Sequence, residues 1–262
     1  ANFRDFVAGL ASGEGIEHRR IILGGDHLGP NPWKSEKADT AMAKARDLVR
    51  AYAEAGFSKI HLDTGLACAG DSELSEETVA ARAAELCAVA ELHAGDMKPL
   101  YIIGTEVPRP GGETDGHDGL AVTRPQAPLR TYELHRQAFT QLGLASVLER
   151  VIGIVVQPGV DFSNTHVVSF DKVKAISLSA AIMEIPGAVF EAHSTDYQSQ
   201  GALRGLVTSH FAILKVGPEL TAAYREAVVA MAMIENQLQF PLKSGILDCI
   251  VNVMNADQGY WR

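Results

Sequence analysis

The stretch IILGGDHLGPNPW, residues 21–33, decides how the chain is read. An apolar run, Ile21-Ile22-Leu23, ends in two glycines, and Asp26 and His27 then stand side by side before a Gly-Pro-Asn-Pro loop. Apolar residues on consecutive positions, rather than alternate ones, suit a strand buried on both faces, and such strands belong to parallel sheets. The run is one of six: RIILGG (20–25), KIHLD (59–63), LYIIGTE (100–106), VIGIVVQPG (151–159), AVFEAH (188–193) and AILKVG (212–217). Segments of helical period separate them. TAMAKARDLVRAYAEAG (40–56) places Ala41, Ala45, Leu48, Val49 and Tyr52 on one face and stops at Gly56, a residue suited to a helix C-terminus. SEETVAARAAELCAVAELHAG (75–95) starts with Ser75 as N-cap, and Glu76 and Glu77 suit the positive end of the helix dipole. RTYELHRQAFTQLG (130–143) and PELTAAYREAVVAMAMIENQL (218–238) complete the set, the latter with Pro218 in the first turn, where proline is tolerated. A helix-like segment, ANFRDFVAGLASG, precedes the first strand.

Strand alternating with helix gives parallel β/α units. A closed (β/α)8 barrel needs eight strands, and six are visible here. Two readings stay open at this point: two β/α units precede Ala1, or the sheet is open.

Composition narrows the function. The 262 residues, 47% hydrophobic and 21% charged, suffice for one large core. A formal net charge of -9 with no Lys/Arg cluster speaks against nucleic-acid binding and for small metabolites or another protein as partners. Cys68, Cys87 and Cys249 are widely spaced, so neither a disulfide framework nor a structural zinc finger is suggested, and the reducing cytoplasm is the expected compartment. No apolar run is long enough for a transmembrane segment and no signal-peptide pattern is seen. There is no Gly-x-x-x-x-Gly-Lys-[Ser/Thr] loop or kinase-type glycine loop, so no ATP site is found, and no Gly-x-Ser-x-Gly elbow is present.

The strand ends carry the chemistry. In β/α barrels the functional groups gather at the carboxyl ends of the strands. Those ends here read Asp26-His27, Asp63, Glu106, Gln157-Pro158, Glu191-x-His193-Ser194-Thr195-Asp196 and Lys215-x-Gly217-Pro218. Ionisable groups are costly to bury one by one, so their convergence on one rim reads as a site. His27 and His193 are candidate ligands of a divalent metal such as zinc, with Glu106 either a further ligand or an acid/base. Taken alone, His27 would be read as a helix-capping or loop-bonding histidine. Asp26 either orients the histidine beside it or moves a proton. Asp63 is read as a catalytic carboxylate, with an ordinary strand-ending aspartate as its alternative. His61 lies two residues earlier, on the same side as Asp63, where it either joins the site or fills a barrel layer. Ser194, Thr195, Lys215 and Gly217 are candidates for binding a substrate phosphate, Gly217 because it opens a helix; Lys215 equally pairs with Glu191. The glycine- and proline-rich GTEVPRPGGETDG is either an active-site lid or a plain connection. His93, His117, His135, His166 and His210 are read as solvated or structural.

With these residues assembled, the chain closely resembles the Z-type (GatZ/KbaZ) accessory subunit of class II D-tagatose-1,6-bisphosphate aldolase. The matching stretches are HRRIILGGDHLGPN, AGFSKIHLD, CAGD, ETVAARAAELC, IGTEVPRPGGE, RVIGIVVQPGVDF, FEAHSTDY and HFAILKVGPELT, in order along essentially the whole chain. The resemblance implies a TIM-type (β/α)8 barrel, so that residues 1–262 form a single β/α-barrel domain lacking the first two β/α units and a C-terminal extension. It implies a role in the catabolism of galactitol, N-acetylgalactosamine or tagatose as a non-catalytic subunit that supports a separate catalytic aldolase chain, in an oligomer that meets a sugar phosphate. Relatives also carry the label tagatose-6-phosphate kinase, which the missing ATP motifs do not support. By a looser analogy with the catalytic class II aldolases, His27 and His193 fall on metal-ligand positions, while the strand expected to supply another histidine offers Gln157, a weak zinc ligand. The alternative is an enzyme in its own right, a metal-dependent aldolase or epimerase acting on a ketose or its phosphate.

Overall fold

The computed structural model describes residues 2–104, 120–163, 165–238 and 242–259. The chain falls into two compact units, Ala1–Lys215 and Val216–Arg262. The first alternates α1 (Asn2–Gly13), β1 (Gly24–Leu28), α2 (Ala38–Glu54), β2 (Lys59–Leu62), α3 (Glu76–His93), β3 (Leu100–Ile103), α4 (Gln126–Gln141) and β4 (Val151–Val156). A small hairpin of β5 (Asp161–Phe162) and β6 (Val167–Val168) follows, then α5 (Lys172–Ala181), β7 (Val189–Ala192), α6 (Gln200–Thr208) and β8 (Phe211–Leu214). The second unit holds α7 (Pro218–Gln237) and α8 (Ile246–Ala256), with large apolar side chains such as Tyr224, Met231 and Ile234 exposed.

All six apolar runs are strands of one curled sheet in the order β1-β2-β3-β4-β7-β8, every neighbouring pair parallel. A parallel neighbour cannot be reached by a tight turn, so each step along the sheet carries a crossover. Helix boundaries follow local chemistry. Ser75 accepts a hydrogen bond from Thr78 N at the start of α3, Asp171 and Ser199 cap α5 and α6, and Gly56 ends α2 with φ +79°. Helices α5 and α6, only ten and nine residues long, are elements the sequence reading passed over. Helix α4 begins four residues before the expected Arg130, because Pro128 lies within its first turn, where a missing N–H costs no helical bond.

Alternation along the strands divides two environments. Ile60 and Leu62 of β2 and Phe190 and Ala192 of β7 join Val49, Leu86 and Phe139 in the apolar core. Each such large side chain contributes about 1.5–3 kcal/mol by leaving water. Lys59, His61 and Asp63, and likewise Glu191 and His193, take the intervening positions. At the amino ends of β3 and β4 the Arg150 guanidinium grips both Glu91 oxygens at 2.8 and 2.7 Å and donates to Pro99 O, while Tyr101 Oη–H donates to Glu91. Helix α3 is thereby tied to two strand starts.

Gly29 sets how closely the end of β1 approaches β2. A Cβ at this position would lie 1.6 Å from the Asp63 carbonyl oxygen, a backbone atom that cannot step aside. Gly29→Ala should therefore destabilise the protein by about 3 kcal/mol or more, at the top of the range for overpacking. Gly24→Ala, whose Cβ would meet only the Lys59 side chain at 3.6 Å, should cost far less. Urea unfolding of the two variants makes the comparison, and equal midpoints would refute it.

Candidate functional site

Asp26 and His27 are adjacent, so in a regular strand they would face opposite sides of the sheet. The structure resolves this with a bulge. Gly25 pairs with Ile60 and Leu28 with Leu62, so two residues of β1, Asp26 and His27, stand opposite the single residue His61. His27 takes a left-handed backbone, φ +51°, and bulges of this kind turn side chains toward a common site. The expected strand 20–25 in fact starts at Gly24 and runs through Leu28, and its first expected residue, Arg20, belongs to a 3-10 turn over residues 18–20.

Three imidazoles meet on this rim: ring centroids lie 4.9 Å apart for His27 and His61, 5.3 Å for His27 and His193, and 5.8 Å for His61 and His193. One ring nitrogen from each lies within 4.8 Å of the others. Each ring also meets a carboxylate: His27 Nδ1 meets Asp63 Oδ2 at 2.8 Å, His61 Nδ1 meets Asp26 Oδ1 at 3.2 Å, and His193 Nε2 meets Glu191 Oε1 at 3.0 Å. A carboxylate accepts, so the paired nitrogen carries the proton, and in a neutral imidazole the opposite one keeps its lone pair. Among the described residues, His61 Nε2 and His193 Nδ1 are buried without a hydrogen-bond partner. Histidine backed by carboxylate through one nitrogen, with the other turned to the shared space, is the arrangement of a metal-ligating imidazole, and His27, His61 and His193 form a possible metal-binding cluster.

Two lysines supply positive charge. Lys215 Nζ lies 2.7 Å from Asp26 Oδ2, 3.0 Å from His27 Nε2, 3.3 Å from Glu191 Oε1 and 3.4 Å from His61 Nδ1. Lys59 Nζ lies 3.4 Å from Glu191 Oε2 and 3.7 Å from Asp26 Oδ1. Asp26, His61 and Glu191 form a second group with metal-ligand spacing, but its carboxylates are the ones holding the lysines. Burial opposes ionisation of Glu191, yet the His193 hydrogen bond and the nearby positive charges bring its carboxyl down to about 2. Asp26 and Asp63 are likewise held below the usual range against burial, by His61 and Lys215 in one case and by His27 in the other. Burial, reinforced by the Lys215 charge, pushes His61 and His193 down, which keeps both neutral near pH 7.

The structure thus brings together Asp26, His27, Asp63, His193 and Lys215. It adds His61, which sequence reasoning placed on the right side of its strand without making it a ligand, and Lys59, whose only signal was its even spacing from His61. Asp63 is fully buried and spends its carboxylate on His27 and on Gly65 N, so the orienting part weighed for Asp26 falls geometrically to Asp63. Thr195 spends its hydroxyl and its N–H on Lys215 O, pinning the end of β7 to β8. Ser194, with φ +54°, has a buried hydroxyl that finds no hydrogen-bond partner among the described residues. Gln157 gives its amide oxygen to Gly159 N and Val160 N. Gly217 belongs to the second unit, where it stands at the N-cap of α7. Glu106 and His117, with most of the glycine- and proline-rich loop, lie outside the described residues. His135 is a structural histidine: its Nδ1–H donates to Thr131 O and burial lowers it to about 4.

The chain is an α/β protein whose ionisable groups gather at the carboxyl ends of parallel strands, where such proteins bind small molecules. It belongs to the D-tagatose-1,6-bisphosphate aldolase subunit GatZ/KbaZ-like family, which it matches over residues 1–262. It is 52% identical to the D-tagatose-1,6-bisphosphate aldolase subunit GatZ of Salmonella enteritidis PT4, over 100% of this chain and 63% of that protein. The GatZ subunit of Klebsiella pneumoniae subsp. pneumoniae shows the same identity and coverage. A crystal structure of a probable tagatose 6 phosphate kinase from Sinorhizobium meliloti 1021 superposes with a TM-score of 0.86 at 46% identity, covering 99% of this chain and 63% of that one. The chain therefore spans just under two thirds of these relatives. Among the described residues no helix is long and apolar enough to cross a membrane.

The depressed Glu191 carboxyl links the site to stability. Its stabilising effect is present above the ordinary glutamate value of 4.5 and is lost as pH falls through about 2. Glu191→Gln should be less stable than wild type at neutral pH, and the gap should narrow progressively below pH 4.5. Urea midpoints across that range check it; a gap that stays constant or widens in acid would be inconsistent with this role.

Proposed function

We propose that the protein is a subunit that supports class II D-tagatose-1,6-bisphosphate aldolase activity through a separate catalytic chain, in the cytoplasmic breakdown of galactitol, N-acetylgalactosamine or tagatose. The observation that carries this reading is the family match over residues 1–262, with relatives at 52% identity named as GatZ subunits of that aldolase. The six-stranded sheet is then the larger part of a (β/α)8 barrel whose remaining strands come from outside residues 1–262. The behaviour of Gln157 favours a non-catalytic role, since the strand expected to offer a further imidazole offers an amide already committed to its own loop. A sugar phosphate would meet Ser194 and Lys215 at the rim. No ATP-binding motif supports a kinase.

A second reading, a metal-dependent ketose or ketose-phosphate aldolase or epimerase, is favoured by one observation: three histidines whose rings are each backed by a carboxylate. His27, His61 and His193 would hold a divalent ion, with Glu106 as a further candidate ligand. Such an ion would polarise a substrate carbonyl. Asp63 would orient His27, and Asp26, the partly exposed carboxylate of the cluster, would move a proton.

Tagatose-1,6-bisphosphate cleavage and metal content, measured on the protein alone and mixed with a class II catalytic subunit, separate the two. The accessory reading expects no turnover alone and a rise in the partner's activity or thermal stability on mixing. Unaided ketose turnover with a stoichiometric divalent ion, lost in His27→Ala or His193→Ala, would overturn it in favour of the enzyme.

A further inference from the structure

We infer that Lys215 and a divalent cation are alternative occupants of one pocket: the ammonium is the built-in counter-cation of the cluster, and metal binding to the histidines expels it. This inference rests on the metal reading of the same site. Lys215 Nζ is not a bystander at the rim. It contacts His27 Nε2 at 3.0 Å, the nitrogen left with a lone pair by the Asp63 bond, while touching Asp26 and Glu191. A zinc ion bound to that nitrogen lies about 2.0–2.1 Å away along the same lone pair, inside the space the ammonium fills. Two cations cannot share it, by sterics and by charge. The ammonium also has a reason to be there, because the Glu191 carboxylate is wholly buried and an unpaired buried ion is costly. A dication at the three histidines takes over that neutralisation and leaves the lysine, on its flexible four-carbon stem, free to turn outward.

Lys59 provides the internal comparison. It bears the same charge and approaches the same two carboxylates, at 3.4 and 3.7 Å, through their other oxygens, and among the described residues its ammonium makes no hydrogen bond to any of the three imidazoles. Removing it changes the charge of the cluster without vacating the lone pair of His27.

The test is zinc affinity at neutral pH, by competition with a chromophoric chelator, for wild type, Lys215→Met, Lys215→Gln and Lys59→Met. Both Lys215 variants should bind zinc about tenfold more tightly than wild type or better, equivalent to about 1.4 kcal/mol, and Lys59→Met should change affinity far less. Amine acetylation of the wild type read by mass spectrometry gives an answer even if a variant fails to fold, with Lys215 protected in the metal-free protein and modified once zinc is added. Equal affinity in wild type and the Lys215 variants, equal tightening by Lys59→Met, or labelling of Lys215 that zinc leaves unchanged would each overturn the exclusion while leaving the metal site standing. Absence of zinc binding in wild type and in every folded variant would overturn the exclusion and the metal reading together.

Discussion

The arrangement depends on one constraint, the burial of the Glu191 carboxylate at the end of β7 with no exposure to solvent. A buried ion costs several kcal/mol unless opposite charge and hydrogen bonds surround it. Here they arrive from separate strands: His193 from its own, Lys59 from β2 and Lys215 from the end of β8. Charge thus reinforces the ladder between β7 and β8 and also ties β7 to β2, a strand that no backbone ladder places beside it. Thr195 reinforces the lock by binding the carbonyl of Lys215, so the residue that supplies the cation is held at its backbone by the segment that supplies the anion.

Geometry at β1 completes the cluster at some cost. A bulge and a left-handed histidine bring two neighbouring side chains to one face, and Ser194 repeats the left-handed backbone beside His193. Each such conformation outside glycine costs on the order of 1–3 kcal/mol and persists only where surrounding contacts over-determine it. Those contacts are present: Asp63 grips the His27 ring, and the close approach at Gly29 fixes the distance from β1 to β2.

A subunit whose part was only to brace a partner would have no evident use for three carboxylate-backed histidines and two lysines converging on one rim. Binding, however, does not entail catalysis. The same rim suits a subunit that retains ligand affinity and an enzyme with its own turnover, and the feature separating the two physically is the completeness of the ligand set. Gln157 spends its amide oxygen on its own loop, while His61 adds a third imidazole to the rim.

The sequence by itself determined the class of the fold and named most of the residues that the structure gathers at the rim. Consecutive apolar residues are a local property of doubly buried parallel strands, and all six runs became neighbours in one sheet; caps such as Ser75 and stops such as Gly56 are equally local. The ionisable strand ends were visible for the same reason, since polar groups at the ends of buried runs stand out in one dimension. Which atom meets which was decided by tertiary structure alone. The bulge depends on register between β1 and β2, so Asp63 rather than Asp26 backs His27. The place of His61 depends on which face of β2 meets the strands across the rim. Lys215 sits against His27 because a charge balance among strands far apart in the chain requires a cation there, and charge balance in a buried site is a property of three-dimensional distance that no spacing along the chain records.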